Sequence, residues 1–163
     1  MKRTISIFVE NRAGVLSRIS GLFSRRCFNI DSLAVGVTED AAVSRITIVA
    51  DGDEYIMTQI EKQLAKLVEV KKVRVYRHDE IISRELMLVK LSVPPAKRSE
   101  IMTIADIMKA KIVDLTLTTM TLELCDAYFH LTRFEELVAP YGIIEMVRTG
   151  TVAIQKGETT LNN

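Results

Sequence analysis

Hydrophobic and polar positions along the chain lay out one plan twice. Residues 2–10, KRTISIFVE, are β-branched and mostly apolar, which predicts a strand. The next run, NRAGVLSRISGLFSRR, sets Val15, Leu16, Ile19, Leu22 and Phe23 on one helical stripe with Ser17, Arg18, Ser24 and Arg25 largely opposite. IDSLAVGV at 30–37 and VSRITIVA at 43–50 predict two strands joined through the polar turn Thr38-Glu39-Asp40. Asp53 is placed to cap a second helix, whose apolar positions are Ile56, Ile60, Leu64 and Leu67. VEVKKVRVY predicts a further strand; Lys71 and Lys72 break its alternation as a β-bulge does.

After the polar break His78-Asp79-Glu80 the plan recurs. RELMLVKLSV predicts a strand, stopped by Pro94-Pro95, which a ladder interior excludes. Ile101, Ile104, Ala105 and Met108 mark a helix, and KIVDLTL and MTLELC two paired strands around Thr118-Thr119. Phe134, Leu137 and Val138 mark a helix ending before Pro140-Tyr141-Gly142. IIEMVRTG is the last predicted strand, and GETTLNN reads as a polar tail. Two βαββαβ units imply an α+β protein of two tandem ferredoxin-like domains, each an antiparallel sheet with helices on one face. The expected bounds are 1–78, a linker at 79–83, and 84–163. The apolar content of the strands predicts that a partner chain or the sister domain covers the other sheet face or extends its edge, so a homodimer is expected.

Composition narrows the function. The 163 residues carry 22 Lys+Arg against 21 Asp+Glu, and neither half has a basic excess, which argues against a nucleic-acid partner. No run approaches 18 apolar residues, so no membrane span is expected. The opening MKRTISIFVEN enters a strand pattern without a signal or transit segment. Cys27 and Cys125 are too far apart in sequence for a metal-ligand cluster or a secreted disulfide framework. Together these features predict a soluble cytoplasmic protein.

The chemistry-bearing residues are sparse. His78 and His130 each stand alone, Cys27 follows Arg25-Arg26 without a nearby His, and no P-loop, dinucleotide fingerprint or metal-ligand pattern occurs. One segment carries a mechanism: Glu10-Asn11-Arg12-Ala13-Gly14-Val15, at the first strand-to-helix turn. A helix N-terminus offers unpaired N–H groups and a positive dipole end to a carboxylate or phosphate. Gly14 lets a small ligand approach the backbone. Asn29 opens the following strand, and in a βαβ arrangement Asn11 and Asn29 can face one site. Two amides and a row of N–H groups suit a zwitterion. Two plainer readings share these residues: Asn11 as a simple helix cap, and Arg12 as a phosphate ligand of the kind found in small acylphosphatase-like domains.

The run ENRAGVLSRISGLFSRRCFNIDSL resembles the opening of the regulatory small subunit of acetolactate synthase. The resemblance continues through SRITIV, IEKQLAKLVEV, SRELMLVKL, AKIVDLT and GIIEMVRTG and spans essentially the whole chain. It implies an N-terminal ACT domain and a C-terminal ACT-like domain. It further implies a non-catalytic dimer that binds a branched-chain amino acid, usually valine, between subunits. That dimer joins, activates and makes feedback-sensitive a separate catalytic subunit holding thiamine diphosphate, a divalent metal and often FAD, with no cofactor on this chain. The family's effector motif falls on Asn11, Gly14, Val15, Asn29 and Ile30. Where the family usually has Gly, this chain has Cys27; a positive φ there costs a non-Gly residue roughly 1–2 kcal/mol. Cys125-Asp126 and Met108 also depart from the common Thr-Gly and Phe. Two other classes share the fold: a free-standing amino-acid sensor for another partner, and an RNA-binding domain, which would need exposed aromatics on its central strands.

Overall fold

A computed structural model describes residues 2–161 and divides the chain into two compact units. The first runs through Ile82 and is rejoined at Thr151; the second is Ser83–Gly150.

In the first unit the elements are β1 (Lys2–Glu10), α1 (Val15–Arg25), β2 (Ile30–Val37), β3 (Val43–Asp51), α2 (Glu54–Leu64) and β4 (Val70–Tyr76). The strands form an antiparallel sheet in the order β2-β3-β1-β4. Alternation sends Ile5, Ile7 and Val9 of β1, with Ile46, Ile48 and Ala50 of β3, to the helix-covered face. There they meet Val15, Ile19, Leu22 and Phe23 of α1 and Met57, Ile60 and Leu64 of α2. Leu16, placed on the buried stripe by its spacing, is instead 42% exposed, because it lies at the stripe's margin. Asp53 caps α2 by accepting the Ile56 N–H at 2.8 Å. The bulge falls at Lys71: Phe8 pairs with Lys72 and Val9 with Val70.

The second unit repeats this with β5 (Ile81–Ser92), α3 (Arg98–Met108), β6 (Lys111–Leu115), β7 (Thr119–Asp126), α4 (Tyr128–Val138) and β8 (Ile143–Arg148), in the order β6-β7-β5-β8. Met87, Val89 and Leu91 of β5 and Met120, Leu122 and Leu124 of β7 meet Ile101 and Ala105 of α3 and Leu131, Phe134 and Val138 of α4. Pro94 and Pro95 end β5 as expected, through a 3-10 turn at Pro95–Lys97.

The compact units divide the chain at other places than the expected bounds. Residues 79–83 are not a free linker: a 3-10 turn at His78–Glu80 leads straight into β5 at Ile81. The end of the chain does not belong to the second unit either. A strand that the sequence reading passed over, β9 (Val152–Gln155), pairs with β5, and the segment from Thr151 onward packs in the first unit. There it lies on the sheet face that the helices leave bare. Arg45 Nη2 donates to the Ala153 carbonyl at 2.6 Å and to Ser6 Oγ at 3.1 Å, and Ser32 Oγ accepts the Thr151 N–H at 2.8 Å. Tyr76, Ile81 and Ala153 make a small apolar cluster, and Leu161 is buried. Part of the cover expected from a partner or sister domain is therefore the chain's own tail, on whose side Tyr76 packs with Ala153.

Among the described residues two non-glycines adopt positive φ, Cys27 at 55° and Lys109 at 60°. They follow α1 and α3, so both units turn out of their first helix in the same strained way.

Candidate functional site

The turn between β1 and α1 is held on both sides. The Asn11 N–H donates to the Ala42 carbonyl at 2.8 Å, and Asn11 Nδ2 donates to the Ala41 carbonyl at 2.9 Å, tying the turn to the β2–β3 hairpin. Asn11 is thus not the helix cap. That position is Gly14, with φ 87° and ψ −16°, and no side chain caps α1. A left-handed residue there favours glycine, and a Cβ built on Gly14 would meet nothing within 4 Å. The start of α1 thus carries no capping side chain and has open space beside the Gly14 backbone.

The expected site residues divide into two groups. Asn11 and Gly14 are exposed, while Val15, next in sequence, is buried in the core at 4% exposure. Asn29 is exposed and its Nδ2 donates to Asp31 Oδ1 at 2.8 Å; Ile30 is half-buried against the core. The idea that β2 runs beside β1 is corrected: β3 lies between them. Glu10 pairs with Val43 at one end of β3, and Ile30 pairs with Ala50 near the other. At about 3.3 Å per residue, the Asn11 end and the Asn29 end stand roughly 23 Å apart. One chain does not bring Asn11 and Asn29 to the same place.

Other chemistry is accounted for locally. Arg12, which a phosphate site would use, is committed: its Nε sits 2.8 Å from Glu10 Oε2 and its Nη2 3.4 Å from Glu69 Oε1. Glu69 also pairs with Arg18. Phe8, the aromatic that RNA stacking would need, lies under the Arg45 guanidinium at 5.6 Å, on the face that the tail covers. His130 is less isolated than its sequence context implied. Its Nδ1 is 2.9 Å from Asp126 Oδ2 across one turn at the start of α4. Burial works to raise the Asp126 carboxyl, but the hydrogen bonds from His130 and the Ala127 N–H outweigh it and hold it below the usual range. No group of three or more metal-ligating side chains occurs among the described residues. No helix of the described residues is long and apolar enough to cross a membrane.

Sequence reasoning missed Glu69. Its signal was a lone acidic residue in the otherwise apolar and basic stretch KLVEVKKV, a position that burial without a partner would forbid.

Comparison with known proteins agrees over both units. Residues 5–72 match the family described as the AHAS small subunit-like ACT domain, and residues 84–157 that described as the small subunit of acetolactate synthase. A probable acetolactate synthase small subunit of Archaeoglobus fulgidus is 44% identical over 96% of this chain and 98% of its own length. The acetolactate synthase small subunit of Haemophilus influenzae is 41% identical over 99% of each chain. The crystal structure of the acetolactate synthase small subunit from Thermotoga maritima superposes with a TM-score of 0.90 at 33% identity, covering 98% of this chain and 99% of that one. With both units matched and full-length identities of this size, the chain belongs to the acetolactate synthase small-subunit family.

Proposed function

We propose that the chain is the non-catalytic regulatory subunit of a thiamine-diphosphate-dependent acetolactate synthase, acting in the cytoplasm in branched-chain amino acid synthesis. It activates the catalytic subunit and makes it sensitive to a branched-chain amino acid, L-valine first among them. Any thiamine diphosphate, divalent metal or FAD resides on the catalytic partner.

The observation that carries this reading is the separation of Asn11 from Asn29. Strand β2 is a free edge of its sheet, with Val35 48% and Val37 60% exposed. Such an edge is a template for pairing. When two copies of β2 pair antiparallel about a two-fold axis, the start of one strand falls beside the end of the other. The Asn29–Ile30 end of a second copy then approaches the β2–β3 hairpin, to which Asn11 is tied. Each two-fold pair so completes two sites, each with the Gly14 turn of one copy and the Asn29 end of the other. The α1 N–H groups and dipole hold the effector carboxylate, a contribution of about 0.3–2 kcal/mol, and amide oxygens accept its ammonium. Coupled pairs of sites suit a switch, since moving a population from 1:99 to 99:1 takes about 5.5 kcal/mol of differential binding.

The free-standing sensor reading has only the fold in its favour, whereas the family match extends through the second unit. The test is calorimetric titration of the full chain with L-valine, beside L-leucine, L-isoleucine and D-valine, with the oligomeric state followed by sedimentation. Stereospecific binding by a dimer, close to one effector per chain, is expected. Discrimination among the three aliphatic side chains should be modest, about 1–3 kcal/mol per methylene. Stereospecific binding by a monomer would overturn the shared site. Absence of binding even with the catalytic subunit present would overturn the sensor reading.

A further inference from the structure

Glu69 sits in the connection between α2 and β4, far in sequence from the effector turn, yet it touches every part of that turn's frame. Its backbone carbonyl accepts the Glu10 N–H at 2.9 Å, at the end of β1. Its Oε1 takes Arg12 Nη2 at 3.4 Å, from within the turn, and Arg18 Nη1, from the body of α1. The Glu69 side chain is 5% exposed, whereas the side chains of Arg12 and Arg18 are 58% and 66% exposed. A buried carboxylate is tolerated only when paired, so the two arginines cannot leave it without leaving a buried charge unpaired. Turn and helix thereby converge on one anionic oxygen, and the strand end on the backbone carbonyl of the same residue.

We propose that Glu69 is a positioning residue for effector binding: it fixes the Asn11–Gly14 turn relative to the α1 N-terminus without touching the effector. This rests on reading that turn as the effector site. Effector binding asks a flexible backbone segment to hold its N–H groups in one arrangement, and ordering it beforehand removes that cost from the binding step. Glu10 and Arg12 alone cannot supply the ordering, because both belong to the segment being held. Glu69 can, because it is anchored outside it.

The test compares Glu69→Gln and Glu69→Asp with Asn11→Ala and Gly14→Asp in the full chain. Three readouts are taken: L-valine affinity by calorimetry, backbone amide exchange, and Tm. Glu69→Gln keeps the size but loses the charge, and its L-valine dissociation constant is expected to rise about 5–30-fold. Glu69→Asp is expected to recover part of that loss. Amide exchange should quicken over residues 10–18 and stay unchanged in the core positions of α2, which a general loss of stability would not reproduce. Should Glu69→Gln bind within twofold of the parent while Asn11→Ala loses binding, the positioning role is wrong and the site stands. Faster exchange throughout the first unit with a matching fall in Tm would make Glu69 merely structural. If Asn11→Ala and Gly14→Asp both bind L-valine normally, the site itself is misplaced and the inference falls with it.

Discussion

The two strand-to-helix turns occupy the same place in the same fold and differ in what their backbones can offer. In the first unit Glu10 leads through Asn11, Arg12 and Ala13 to Gly14, left-handed and open above its Cα. In the second unit Ser92 leads to Val93, Pro94 and Pro95, and two consecutive prolines remove two N–H donors before the helix begins. Both turns are tied to the neighbouring hairpin, but by different groups: Asn11 reaches the carbonyl of Ala41, while Arg98 reaches the carbonyls of Thr116 and Leu117. One tie comes from a short amide that leaves the helix N-terminus clear. The other lays a guanidinium from the helix's own first residue across the equivalent place. A repeated fold thus supplies two scaffolds, and the turn chemistry makes the first the proposed seat for a zwitterion.

The strongest way to break this comparison is to close the open turn. Gly14→Asp has room for its side chain, and Asp is among the residues that tolerate positive φ, so the fold should survive with a circular dichroism spectrum like the parent's. A carboxylate placed where the proposed site would seat the effector carboxylate should weaken L-valine binding at least ~100-fold, the equivalent of losing a charge-assisted hydrogen bond of about 3 kcal/mol. Gly14→Asn, equal in size but uncharged, should keep far more affinity. Ala96→Asp, the same charge introduced into the second turn, should leave binding within about twofold, since the prolines give that turn no role in it. Calorimetry on the three variants decides; equal losses in both turns would end the distinction.

The next largest effect concerns the tail, which groups with the first unit. Leu161 is 4% exposed and Ile154 56% exposed. Leu161→Ala should cost about 2 kcal/mol, the low end for a buried leucine, and Ile154→Ala less than about 0.5 kcal/mol. Urea unfolding followed separately in each unit should place the Leu161 loss in the first. Equal losses for the two variants would mean that the tail is not packed as described.

Much of the fold was legible because both units obey their periodicities closely. The strands alternate, the helices keep a stripe, Asp53 caps, Lys71 bulges, and Pro94-Pro95 stops β5. What escaped were features whose cause is non-local. VAIQ is too short to read as a strand, and Leu161 is one apolar residue in a polar run; both gain meaning only from the sheet face they cover. The local geometry of the candidate turn was legible. Gly14 before an apolar stripe signalled an open helix start, and the structure bears out that local geometry. The joining of Asn11 to Asn29 within one chain failed because strand order is not written in local pattern: β3 inserts between β1 and β2. Glu69 was invisible for the same reason, since its partners lie more than fifty residues away.

A smaller effect should be equal in the two units, because it depends on backbone alone. Cys27 and Lys109 hold φ of 55° and 60° after α1 and α3. Relieving each with glycine recovers about 1–2 kcal/mol of steric cost and gives back about 0.5–1 kcal/mol in unfolded-chain entropy. Cys27→Gly and Lys109→Gly should therefore each stabilise by about 0.5–1 kcal/mol, read as a rise in Tm. A gain in one unit alone would show that a side-chain contact, not the backbone, decides there.

The smallest effect separates the second helices of the two units. α2 starts on a capping side chain, Asp53, whereas α4 starts at Ala127 without one; Asp126, the last residue of β7, accepts the Ala127 N–H at 2.7 Å and braces His130 Nδ1 at 2.9 Å. The Asp126 carboxyl lies below its ordinary value of 3.8, burial being outweighed by those hydrogen bonds. A carboxyl lowered by folding stabilises the fold above its ordinary pKa, and that contribution fades as the pH falls through the lowered value. Because the pair is largely solvated, its share of the stability is small. Asp126→Asn should therefore melt slightly below the parent at pH 5, and the difference should shrink as the pH falls below the ordinary value of 3.8 and through the lowered one. Parallel melts across that range test the sign directly. A difference that grows on acidification would mean that the protonated carboxyl, not the carboxylate, is the form that α4 holds.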